Sequence, residues 1–64
     1  MLPLERAIPG LRVRYWRPGH TSSEYGVITS INPRTEVAFV RYSHQPADAY
    51  GQPTNLDDLF EVQQ

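Results

Sequence analysis

Arg12, Arg14 and Trp16 stand two residues apart, and Arg41-Tyr42 pairs the same kinds of side chain further along. Arginine makes planar, two-pronged contacts to carboxylate or phosphate and stacks on rings, which lysine does not. Tryptophan and tyrosine supply large buried area where two surfaces meet. Together Arg12, Arg14, Trp16, Arg41 and Tyr42 form a candidate binding face, with Tyr25 and Tyr50 at its rim and Arg17 and Arg34 as possible additions. Such a face suits an acidic protein surface first. Its second ligand class is single-stranded nucleic acid, held by arginine on the backbone and rings on the bases. The plain alternative is a solvated face, partly neutralised by the chain's own acids.

Charge orders these readings. The 64 residues carry six basic and seven acidic side chains, a net charge of −1, and every basic residue is arginine. Residues 1–46 sum to +3, and residues 47–64, with Asp48, Asp57, Asp58 and Glu61, sum to −4. A protein that holds nucleic acid by bulk charge needs a surplus of cations, so a protein partner is the first expectation. Self-association is a third possibility, since small domains often gain stability by oligomerising.

Other chemistry finds little support. His20, Glu24, His44 and Asp48 have no recognised metal-site spacing, and a stable site wants three or four ligands with supporting neighbours. Ser22, Ser23, Ser30 and Ser43 sit in no nucleophile motif. A chain this short has little room for a water-excluding catalytic pocket. We expect no enzyme, no metal and no cofactor. Cysteine is absent, so no disulfide can staple the fold. No apolar run reaches the roughly 18 residues of a membrane span, and no basic-then-apolar leader opens the chain.

Strands must position these residues, because six prolines and four glycines leave no room for a long helix. After Pro9-Gly10, the stretch Leu11 to Arg17 alternates, with Leu11, Val13 and Tyr15 on one face and Arg12, Arg14 and Trp16 on the other. Tyr25 to Ile31 reads as a second strand, with Gly26 marking a bulge or bend. Asn32-Pro33-Arg34 turns the chain into a third strand, Thr35 to Tyr42. A loop over residues 43–53 precedes a short fourth strand near Gln52 to Asn55. Asn55 to Leu59 reads as one helical or 3₁₀ turn, with Asn55 as its N-cap, before a last strand, Phe60 to Val62. Residues 1–8, with Leu2, Leu4 and Ile8, form an arm that packs or stays loose. The expected fold is all-β: a small, strongly bent antiparallel barrel of four to five strands over residues 9–64.

The segments Gly10-x-x-Val13, Val27 to Ile31, Val37 to Tyr42 and Asn55 to Leu59 together resemble the Src-homology-3-like barrels of the Tudor type. That resemblance covers residues 10–62 and implies an aromatic cage for a methylated cation, since ring faces are negative. Tyr42 matches the cage position on the third strand, Trp16 and Tyr25 lie within one residue of two others, and Tyr50 sits in a loop where another ring is found. The plainer assignment puts Tyr15, Tyr25, Phe39 and Phe60 in the core, with Trp16 and Tyr42 covering its rim. A narrower resemblance is carried by Pro18-Gly19-His20, Glu24-x-Gly26 to Ser30, Phe39 to Tyr42 and Asp58-Leu59. These segments look like small proteins of bacteriophages and prophages, which implies action in the cytoplasm of a bacterial host.

Overall fold

A computed structural model describes residues 1–62. Its regular elements are β1 (Arg12–Tyr15), β2 (Glu24–Asn32), β3 (Val37–Tyr42), β4 (Gln52–Asn55) and β5 (Leu59–Glu61). One 3₁₀ turn spans Leu4–Arg6 and a second, Leu56–Asp58, joins β4 to β5. All pairings are antiparallel, in the order β4-β3-β2-β1-β5. Among the described residues no helix is long and apolar enough to cross a membrane. The expected all-β class therefore stands as a five-stranded antiparallel sheet.

Alternation explains which side of each strand faces inward. Val13 is buried between exposed Arg12 and half-buried Arg14, and on β3 Ala38, Val40 and Tyr42 are buried while Val37, Phe39 and Arg41 are not. On β2 the inward residues are Ile28 and Ile31, three apart rather than two. A period-2 strand cannot put both on one face without an extra residue. That residue is supplied at Thr29, where Ile28 pairs with Val40 but Ser30 pairs with Phe39. The Thr29 hydroxyl donates to the Phe39 carbonyl at 3.0 Å across the irregularity. So the bulge lies at Thr29, not at Gly26.

Gly26 has a different task. A Cβ there would stand 2.6 Å from Val40 Cγ1 and 2.8 Å from the Arg41 carbonyl oxygen. Gly51 is constrained in the same way, against the Thr29 hydroxyl and the Phe39 backbone. Both glycines let one stretch of chain lie directly on another.

The β2–β3 turn follows from Asn32, whose Oδ1 accepts the Arg34 N–H at 3.1 Å. It ends at Glu36, which takes a left-handed φ of 55° and whose carbonyl accepts the Leu56 N–H at 3.2 Å. The third strand consequently starts at Val37 rather than Thr35. Before the second 3₁₀ turn, Asn55 occupies the N-cap position with extended backbone but makes no side-chain cap bond.

The core consists of Leu2, Ala7, Val13, Ile28, Ala38, Val40, Tyr42, Leu56 and Leu59, with Leu4, Leu11, Tyr15 and Ile31 packed against it. Tyr42 therefore belongs to the core, not its rim. Tyr25 is half exposed on the outer face, and Phe39 and Phe60 are half-buried. The first eight residues lie against the sheet: Leu2 is buried and donates its N–H to the Leu56 carbonyl at 3.0 Å.

Arg6 ties this N-terminal segment to β5 by two bonds to Glu61, with Nε donating at 3.0 Å. The guanidinium holds the Glu61 carboxyl below the usual carboxylate range, chiefly by hydrogen bonding. A carboxyl depressed on folding stabilises the fold above its unfolded pKa and loses that contribution as pH falls through the folded value. Glu61→Gln is therefore expected to lower the melting temperature at pH 7 and to match the wild type in strong acid. Thermal melts of both proteins from pH 7 to pH 2 check this. Parallel curves with a constant gap would remove the ion pair as the cause.

Candidate binding face and a neighbouring acidic cleft

Strand register places the outward arginines side by side. Arg12 pairs with Val27, and Val27 pairs with Arg41, so the two arginines flank one valine across β1, β2 and β3. One step along β1, Arg14 stands between Tyr25 on β2 and Phe60 on β5. Its guanidinium carbon lies 5.6 Å from the centre of the Phe60 ring, close enough for cation–π attraction. An open cleft of about 270 Å³ runs between these rows, with Arg12, Tyr25, Val27 and Arg41 in its lining and Tyr42 at its inner edge.

The ion pairs of the described residues decide how this face behaves. Arg6 pairs with Glu61, Arg17 approaches Asp58 at 4.0 Å, and His44 approaches Glu24 at 3.9 Å. None of these reaches Arg12, Arg14 or Arg41. Two arginines are thus engaged by the acidic C-terminal segment, and the three on the outer sheet face have no carboxylate within salt-bridge distance among the described residues. Among the described residues, neutralisation by the chain itself does not extend to this face.

The other residues expected on this face are placed elsewhere. Trp16 lies just beyond β1, where its N–H donates to the Asp58 carbonyl at 3.0 Å, and it does not line the arginine cleft. Tyr50 is 94% exposed in the loop after β3 and is also outside the cleft. Tyr42 points its hydroxyl inward, 2.8 Å from the Thr54 hydroxyl. Burial pushes the Tyr42 phenol above its usual range, opposed by that hydrogen bond and reinforced by the nearby Glu24 and Asp58 carboxylates.

A second cleft, of about 280 Å³, opens on the core side of the sheet at the mouth of the β1–β2 hairpin. Tyr15 and Tyr42 line it, edge to face at 6.1 Å and 75°. Glu24 and Asp58 add two carboxylates, and Thr54 and Asn55 add polar atoms. Two histidines extend the rings: His20 meets Tyr15 edge-on, and His44 stacks on Tyr42, both at 6.1 Å. Where the sequence suggested Trp16 beside Tyr42, the residue that stands there is Tyr15. The parity of β1 already separates the two, because Val13 and Tyr15 share a face that Trp16 does not. The alternation was legible; that a cleft opens at the far end of the core face was not.

No family model matches the chain. No curated protein and no solved structure matches it either. The two clefts and their charges are therefore the basis for any functional reading. Among the described residues no group of three or more metal-ligating side chains is placed to hold an ion.

Proposed function

We propose that this protein is a non-catalytic binding module that grips an acidic segment of a partner protein with the outer face of β1, β2 and β3. The observation that carries the proposal is the set of three arginines, Arg12, Arg14 and Arg41, with no carboxylate within salt-bridge distance among the described residues. Leaving three guanidinium groups together costs mutual repulsion, which an incoming carboxylate relieves. Arg12 and Arg41 would each take a carboxylate in two-pronged geometry, and Tyr25 would cover the contact with apolar area. A net charge of −1 favours recognition by a few placed charges over attraction to a polyanion.

The fold in this reading is a Src-homology-3-like barrel of the Tudor type. Its support is the strand spacing, the order β4-β3-β2-β1-β5, and the 3₁₀ turn that carries the chain from one edge strand to the other. The narrower sequence resemblance supports a phage or prophage origin, with action in the bacterial cytoplasm on a host or phage protein.

The test is a titration with a peptide rich in Glu and Asp and, separately, with single-stranded DNA and RNA oligonucleotides, at low and high salt. Binding of the peptide without binding of the oligonucleotides is the expected result. Tighter binding of an oligonucleotide, falling steeply with salt, would transfer the same face to nucleic acid. No binding of any of them would remove the face from consideration.

A further inference from the structure

The second cleft offers what the arginine face lacks. Glu24 and Asp58 stand beside the rings of Tyr15 and Tyr42, and no arginine lines this cleft. Arg17 reaches Asp58 only at the 4.0 Å limit and from an exposed position, and Glu24 is half exposed. Carboxylates beside aromatic faces suit a guanidinium group, which can pair with the former and stack on the latter.

Arg12, Arg14 and Arg41 lie on the opposite side of the same sheet, since Arg41 and Tyr42 are neighbours on β3 and face opposite ways. One copy cannot join its own two patches. Two copies can. We infer that the protein self-associates head to tail, with Arg12 and Arg41 of one copy entering the Tyr15–Tyr42 cleft of the next. This rests on the reading that the arginine face takes carboxylates, and it names a second copy of the chain as one such partner.

Geometry fixes the kind of assembly. The two patches lie on opposite sides of the sheet, so one two-fold axis cannot join both; the contact is heterologous, and an open assembly of any length presents one free patch of each kind. Rings or open chains result, not a closed two-fold dimer. Size fixes the strength. A stable contact covers about 800 Å² on each partner, a large share of a chain whose whole surface is 4569 Å². The association is therefore weak, salt-sensitive and visible at high concentration.

Sedimentation of the full chain at about 0.5 mM in low salt is the test, with two variants. One carries Arg12→Ser and Arg41→Ser, and the other Glu24→Gln and Asp58→Asn. The wild type is expected to show a mass average well above 7.3 kDa that falls back in high salt. Each variant alone is expected to be a monomer. Mixed in equal amounts, they are expected to form a complex of twice the monomer mass and nothing larger, because each retains only one of the two patches. A wild type that stays monomeric in low salt would overturn the inference, as would variants that assemble alone or a mixture that does not pair. Acidic-peptide binding separates the two readings: a monomer that binds the peptide loses only the self-association. A monomer that does not bind it loses both. If the cleft variant fails to fold, acetyl-arginine amide added to the wild type serves instead, with resonance shifts at Tyr15, Glu24 and Tyr42 expected and their absence contradictory.

Discussion

Reversing the charge at Arg12 and Arg41 together, to glutamate, is expected to weaken binding of an acidic peptide roughly 100-fold while leaving the fold intact. The magnitude comes from two lost charge-assisted hydrogen-bonded contacts at about 1.5 kcal/mol each, about 3 kcal/mol in all. Repulsion from the two new carboxylates adds to it. The fold should tolerate the change because both side chains lie on the outer face and neither makes an ion pair that the substitution would break. A melting temperature within a few degrees of the wild type, measured beside the binding curve, is part of the expected result. Unchanged affinity in a folded variant would show that the contact lies elsewhere, and the Tyr15–Tyr42 cleft would be the next place to look.

The second large effect is structural and comes from the start of the chain. Leu2→Ala is expected to cost about 2–5 kcal/mol, the range for emptying a buried leucine site. Leu2 is 2% exposed and packs within the main core, and its backbone is bonded to Leu56 at the 3₁₀ turn before β5. A domain this short rarely has more than about 3–5 kcal/mol in total. One methyl-rich side chain near the terminus therefore decides whether most molecules are folded. Urea unfolding should show a midpoint shifted far downward, or no folded baseline at 25 °C. Glu5→Ala, an exposed change in the same segment, should leave the midpoint unchanged. A Leu2→Ala protein as stable as the wild type would mean that the first eight residues are an appendage to the sheet.

The strands were legible because their alternation is clean. Val13 between two arginines, and Ala38 and Val40 two apart, state both the element and its inner face. The fourth strand, Gln52 to Asn55, was found although it is short, because Gly51 and the following 3₁₀ turn bound it. Three features escaped. The bulge sits at Thr29, a residue well suited to an ordinary strand, whereas Gly26 looked like the irregular position. Only the three-residue spacing of Ile28 and Ile31 signals it. The burial of Tyr42 was hidden by its place at a strand end, where a ring can close the core or cover its edge. Leu2 has no periodic neighbours, since Pro3 interrupts the stretch, so its packing depends wholly on the tertiary fold.

The candidate site divides in the same way. That Arg12 and Arg14 share a face follows from their spacing. That Arg41 joins them depends on register, which pairs Val27 with both Arg12 and Arg41 and which no single strand reveals. The chemistry of Trp16 and Tyr50 suits such a face, and the fold places both outside the cleft that Arg12 and Arg41 line. The acidic C-terminal segment proved to be shared out. Asp58 and Glu61 meet Arg17 and Arg6, and no described carboxylate lies within salt-bridge distance of Arg12, Arg14 or Arg41.

That separation makes the central claim directly measurable. A peptide rich in Glu and Asp, titrated at low salt into isotopically labelled protein dilute enough to be monomeric, should move the backbone resonances of Arg12, Arg14, Tyr25, Val27 and Arg41 progressively and together. Residues around the Tyr15–Tyr42 cleft should stay in place, because it presents carboxylates to an acidic ligand. Shifts centred on that cleft, or none at all at millimolar peptide, would contradict the assignment of the arginine face as the binding surface.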